Sequence, residues 1–143
     1  MRYVIIGNST AAIGCVEGIR SVDRDGSIHV ISAEPYKAYG RPLISYLLMG
    51  KTDLDHINYR GEDFYEKMNV TLLTGRRAEK LDATAKEVTL DGGETISYDR
   101  LLVATGSRPF VPPMEGLEQV ENRFSFMTLD DALALDRVLT KDS

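Results

Sequence analysis

Residues 98–109, YDRLLVATGSRP, decide the fold of this chain. The apolar run at residues 101–104 ends in small residues, and Thr105-Gly106 then turns the backbone. A buried strand that stops at a ligand has this form: nothing bulky, and Gly where an unusual backbone angle or a close approach is needed. The chain opens on a second device of the same kind. Arg2-Tyr3-Val4-Ile5-Ile6-Gly7-Asn8-Ser9-Thr10-Ala11-Ala12 reads as strand, tight turn and helix start. Two strands that both end in small-residue turns predict one dinucleotide site built from both.

Working outward, Val4-Ile5-Ile6 is short and apolar, as expected of a parallel strand buried on both faces. A helix follows over Thr10–Val22, with Ser9 at the N-cap position and Ile13, Val16 and Ile19 at helical spacing. Asp23-Arg24-Asp25-Gly26 is a turn signal, and SIHVIS at Ser27–Ser32 is the second strand. Strand, helix and strand over about 30 residues make a βαβ unit with a right-handed crossover. Residues 33–41 form a loop. Residues 42–49 read as a helix with Pro42 in the first turn and Gly50 as its C-cap. A short helix is expected at residues 62–68, ended by Asn69, and a strand at residues 70–73. Residues 77–82, 86–90 and 94–98 read as three antiparallel strands, with Asp91-Gly92-Gly93 joining the last two. Residues 101–104 return to the parallel sheet. After Pro109 the chain is extended and Pro-rich, until a helix at residues 128–139 opens on a capping box of Thr128 and Asp131. The predicted class is α/β: a Rossmann-like parallel sheet with an inserted three-stranded antiparallel meander. Residues 1–109 form the ligand-binding segment, and 110–143 a connector and helix.

At 143 residues the length fits one domain, or one and a fraction. A chain 43% hydrophobic and 27% charged is an ordinary globular one. A net charge of −5, with no Lys/Arg cluster beyond Arg76-Arg77, argues against a nucleic-acid partner. No apolar run approaches the roughly 18 residues needed to span a membrane. Val4-Ile5-Ile6 is too short for a signal peptide, so a cytoplasmic location is expected.

Gly7-x-Ser9-x-x-Ala12 is an altered G-x-G-x-x-G. In the standard form the first Gly makes the turn, the second lets a pyrophosphate approach the helix N-terminus, and the third packs helix on strand. Here only Gly7 is Gly. The Ser9 hydroxyl can donate to phosphate or serve only as the N-cap. Glu34, just past the second strand, can accept hydrogen bonds from both hydroxyls of an adenosine ribose and would repel a 2′-phosphate; it can equally be a solvated loop carboxylate. Arg41, before Pro42, and Arg108, past the second turn, can each bridge pyrophosphate oxygens or be surface arginines. Cys15, the single cysteine, lies on the apolar stripe of the first helix and reads as a small buried hydrophobe rather than a redox thiol. His29 and His56 read as structural or solvated. There is no zinc pattern, no Ser-His-Asp order and no P-loop lysine.

Together VIIGNSTAA, AEPYKAYGRPLISYLL, GRRAEKLD and YDRLLVATGSRP resemble the N-terminal segment of the FAD-binding domain of the pyridine nucleotide-disulfide oxidoreductase superfamily. The likeness covers nearly the whole chain. It is nearest to the branch of rubredoxin reductases, NADH-dependent nitrite reductases and NADH oxidases. The resemblance implies FAD as cofactor and NADH or NADPH as reductant, with a small molecule or small redox protein as acceptor, and a homodimer. It implies that Gly7, Ser9, Thr10, Ala11 and Ala12 hold the pyrophosphate. Glu34 would take the adenosine ribose, Arg41 and Pro42 the pyrophosphate or ribityl, and Arg77 and Ala78 the adenine through their backbone. Ala104, Thr105, Gly106 and Arg108 would pass near the cofactor.

Three departures qualify this. Ser9 stands where the family has Gly, which tightens the pyrophosphate approach. Some relatives carry a redox Cys near the start of the helix that here begins at Pro42; this chain has none there, so electrons would pass from NAD(P)H through flavin directly to the acceptor. The sequence also lacks a segment matching the NAD(P)H-binding domain and the return to the FAD domain. The chain alone is therefore expected to lack turnover and to hold FAD weakly or not at all. The rival readings are a non-catalytic adenine-nucleotide-binding or interaction module, and a fragment of an NAD-dependent Rossmann dehydrogenase.

Overall fold

Arg2–Ile6 forms β1 at the centre of a parallel sheet, with Val4 and Ile5 each 1% exposed. The computed structural model describes residues 1–139. Gly7 ends β1, and α1 runs over Thr10–Val22, burying Ala12, Ile13 and Val16. β2, Ser27–Ser32, pairs parallel with β1 from Arg2–Ser27 to Ile6–Ile31. These three elements fall where the apolar pattern puts them.

The two helices that follow are shorter than their patterns suggested. Arg41–Leu43 is a 3₁₀ turn and only Ile44–Leu48 is α-helix (α2). Pro42 has no N–H to donate, and the entry closes instead with Leu43 N–H donating to Gly40 O at 2.8 Å, the tighter i→i+3 spacing. Met49, not Gly50, is the C-cap; Gly50 follows at φ 64°. Gly50 N–H donates to Leu47 O and Lys51 N–H to Tyr46 O, the Schellman pattern. α3 covers Phe64–Lys67, and Asn69 at φ 47° ends it, a left-handed position that asparagine tolerates. β3 is Val70–Thr74, and β4 Ala78–Asp82, β5 Glu87–Leu90 and β6 Thr95–Ser97 form the antiparallel meander. β7, Arg100–Val103, pairs parallel with β1.

The sheet order is β3-β2-β1-β7, so the winding reverses between β1 and β7. Alternate residues of β1 enter different cores. Ile5, with Tyr3 beside it, packs with Ala12, Ile13 and Val16 of α1 and with Phe64 and Tyr65 of α3. Val4, with Ile6, packs with Val88, Leu90 and Tyr98 on the meander side. Period two along the strand therefore separates a helical layer from a meander layer.

One charged side chain ties the rim of this sheet. Arg20 donates to the carbonyls of Met68 (2.6 Å), Asp23 (3.0 Å), Gly26 (2.8 Å) and Asn69 (2.9 Å). It thus joins the end of α1, the turn into β2 and the entry to β3. Arg20→Met keeps the aliphatic stem and strips these acceptors of their donor. We expect a loss of roughly 2 kcal/mol, the order for a charge-assisted hydrogen-bond cluster. It is read as a lower urea midpoint at unchanged m-value; an unchanged midpoint would make the cluster ornamental.

The described chain divides into two compact units. The first, Met1–Tyr39 with Asn58–Gly106, is the sheet, its helices and the meander. The second comprises Gly40–Ile57 and the residues from Ser107 onward. Within it α2 packs against α4, Leu129–Asp136, where Leu129 and Ala132 are buried. The capping box is present: Asp131 N–H donates to Thr128 Oγ1 at 3.1 Å and Thr128 N–H to Asp131 Oδ2 at 2.9 Å. Met127 N–H (2.9 Å) and Ser125 Oγ (2.9 Å) also donate to this carboxylate. Partial burial pushes the Asp131 pKa up, but the donors outweigh it and the net direction is down. α4 ends at Asp136, and its last turn tightens as Val138 N–H reaches Leu135 O at 3.0 Å. The helix expected over residues 128–139 is thus shorter than its pattern suggested.

Candidate functional site

The carboxyl ends of β2, β1 and β7 lie side by side, and the first unit gathers its small residues there. Gly7 has φ 114°, a region that side-chain-bearing residues rarely adopt. A Cβ on Gly7 would overlap the Ala104 carbonyl oxygen and sit 2.6 Å from the carbonyl carbon. Gly7 N–H donates to Ile31 O at 2.8 Å, and Ala104 N–H donates to Ile6 O at 2.7 Å. The two turns seen in the sequence are therefore stitched into one edge, at the point where the sheet winding reverses. Such a switch point is where open α/β sheets form their ligand crevice.

α1 starts from this edge. Its first turn carries no acidic residue, so the amide ends at Thr10, Ala11 and Ala12 keep their positive potential. Ser9 occupies the N-cap position at φ −136°, but its side chain makes no capping bond. Of the two readings of Ser9, the cap is a matter of position alone. On the neighbouring turn, Thr105 and Gly106 are exposed, and Gly106 has φ 72°.

Glu34 follows β2 by two residues and is half-buried. Its carbonyl accepts from Ser32 Oγ at 2.9 Å and from Gly75 N–H at 3.2 Å. Its carboxylate accepts from the Tyr39 hydroxyl at 2.5 Å. Asn8, inside the glycine turn, joins this segment to β1: its side-chain amide donates to Tyr36 O at 3.3 Å, and its Oδ1 accepts from the Tyr65 hydroxyl at 2.7 Å. Tyr65 in turn accepts from Ala38 N–H at 3.1 Å. Burial is the main influence on the Tyr65 phenol and pushes its pKa up, so it is a neutral donor. Asn8, Tyr39 and Tyr65 were not identified from the sequence as site residues. Asn8 and Tyr39 lie inside the quoted motifs, but nothing local marks their partners.

Arg77 is exposed, and its carbonyl accepts from Asp91 N–H at 2.8 Å. Ala78 opens β4 opposite Leu90, with a register shift before Lys80. The ion pairs belong to the neighbouring arginine: Arg76 meets Asp91 at 2.9 Å and Glu94 at 3.0 Å, pinning the β3–β4 link to the β5–β6 turn.

Arg41, Pro42 and Arg108 lie in the second unit. There Arg41 donates to Met127 O at 2.9 Å, while Pro42 and Arg108 are exposed. Cys15 is half-buried on α1, and burial raises its thiol pKa, which disfavours a reactive thiolate. His56 is exposed and bonded to Asp53 at 2.6 Å, which raises its pKa. Among the described residues no group of three His, Cys, Asp or Glu is placed to hold a metal ion. Among them, too, no helix is long and apolar enough to cross a membrane.

Known proteins share this fold. The chain is 36% identical over 135 residues to the assimilatory nitrate reductase electron transfer subunit of Bacillus subtilis, covering 94% of this chain and 17% of that protein. It is 31% identical over 143 residues to putidaredoxin reductase of Pseudomonas putida, covering 98% of this chain and 34% of the relative. The crystal structure of NADH:rubredoxin oxidoreductase from Clostridium acetobutylicum superimposes with a TM-score of 0.81 at 28% identity, covering 95% of this chain and 35% of that one. The chain thus spans about a third or less of the length of these relatives. The family model for pyridine nucleotide-disulphide oxidoreductase matches residues 1–143, and the chain belongs to that family.

Proposed function

We propose that this chain supplies the adenosine and pyrophosphate end of an FAD site in an NAD(P)H-dependent flavoprotein oxidoreductase. The parent protein passes electrons through the flavin to a small molecule or a small redox protein. The observation that carries this reading is the contact between Gly7 and Ala104. It leaves no room for a side chain, and it puts two turns of small residues beside the N-terminus of α1. That cradle fits a dinucleotide pyrophosphate, and the residues present fit the rest of an ADP moiety. The α1 amides and the Ser9 hydroxyl face the phosphates, Glu34 accepts from the ribose, and the backbone at Arg77 and Ala78 borders the adenine. These roles rest on first-unit residues alone. When bound, the flavin supplies hydride and electron chemistry, and the protein supplies binding, orientation and electrostatics.

The test is calorimetry with FAD and ADP on the purified chain, with flavin absorbance as a second readout. ADP is expected to bind almost as well as FAD, since the contacts named here are to the ADP half. Removing a charged hydrogen-bonding partner costs roughly 1.5–3 kcal/mol, so Glu34→Ala should weaken ADP by about tenfold or more. Wild-type affinity in that variant would reduce Glu34 to a surface charge. Binding of NADH with no affinity for FAD or ADP would replace the reading with a nicotinamide site.

A further inference from the structure

The Glu34 carboxylate is already engaged. Its Oε2 accepts from the Tyr39 hydroxyl at 2.5 Å. Tyr39 is 6% exposed. Its ring lies edge-on to Tyr36 with centroids 6.3 Å apart, and its backbone bridges to Asn58. The backbone of Glu34 is held as well, through its carbonyl and the Ser32 hydroxyl. A buried tyrosine has two side-chain torsions and both are fixed by packing, so its hydroxyl presents one direction to the carboxylate. A carboxylate accepts about four hydrogen bonds, and Tyr39 occupies one of those places. A glutamate ordered before the ligand arrives spares the cost of ordering it on binding.

We propose that Tyr39 is a positioning residue for ribose recognition: its hydroxyl aims the Glu34 carboxylate at the two ribose hydroxyls of an adenosine ligand and so sets a preference for ribonucleotides over 2′-deoxyribonucleotides. This rests on the reading of the edge as an adenosine site. Tyr39 touches no ligand itself and acts through Glu34.

The test uses the full chain and calorimetry with ADP and 2′-deoxy-ADP, on wild type, Tyr39→Phe, Glu34→Gln and the double variant. Wild type is expected to prefer ADP by about tenfold, the scale of one charge-assisted hydrogen bond. Tyr39→Phe should lower ADP affinity about five- to tenfold and 2′-deoxy-ADP, which keeps only the 3′-hydroxyl contact, by about two- to threefold, so that most of the preference is lost. Because the two residues act as one unit, the double variant should bind ADP no more weakly than Glu34→Gln alone. A preference that survives in Tyr39→Phe overturns the proposal. So does an equal fall for both nucleotides, which marks a purely structural tyrosine, and so does a Tyr39→Phe chain that does not fold. A wild-type chain that binds neither nucleotide removes the adenosine reading itself, and a wild type that binds both equally removes ribose recognition by Glu34.

Discussion

Gly7→Ala is expected to destabilise the protein by about 3 kcal/mol or more, a large fraction of the stability of an ordinary domain. Two penalties add. The backbone at Gly7 is held at φ 114°, where alanine is strained. The new methyl would also overlap the Ala104 carbonyl, whereas carbon and carbonyl oxygen ordinarily approach to about 3.3–3.6 Å. Neither side can easily retreat. The Gly7 amide is tied to Ile31 O and the Ala104 amide to Ile6 O, so moving apart breaks bonds that join the ends of three strands. Gly14→Ala is the control. It lies in α1, where a Cβ meets nothing within 4 Å, and it should stabilise by about 0.5–1 kcal/mol through helix propensity. Urea unfolding of both variants reads the difference. A Gly7→Ala midpoint equal to wild type would mean that the β1–β7 edge is looser than its hydrogen bonds indicate.

In a full-length parent protein, Ser9→Leu should abolish FAD retention, whereas Ser9→Gly should preserve or improve it. The structure makes this a clean pair. The Ser9 side chain makes no capping bond, so its removal costs the fold only a few tenths of a kcal/mol. Any large change in binding then reports on the ligand. Glycine widens the approach to the α1 amides, and leucine puts an apolar side chain where phosphate charge needs donors. Flavin content after gel filtration, with ADP calorimetry as the second measure, separates the two. Retention unchanged in Ser9→Leu would remove Ser9, and with it the altered glycine motif, from the phosphate site.

The sequence by itself determined the elements. β1, α1 and β2 are legible because strand and helix periodicities act over a few residues; the Asp23 carboxylate closes the next turn by accepting from Asp25 and Gly26 N–H, and Asn69 punctuates the chain by local dihedral preference. The capping box at Thr128 and Asp131 is legible for the same reason: both partners lie within one turn. The two small-residue turns marked where β1 and β7 end. Only the tertiary structure decided what those residues meet. That β7 lies against β1, and that Gly7 is therefore required by the Ala104 carbonyl as well as by its own turn, follows from the sheet order. That Arg76 rather than Arg77 carries the ion pairs follows from where the β5–β6 turn comes to rest. Asn8 finds the Tyr65 hydroxyl 57 residues along the chain, and Glu34 finds Tyr39 only because the loop between them folds back. Local pattern fixes backbone angles and the faces of elements. Partners distant in sequence are fixed by register and packing, which no short window of residues encodes.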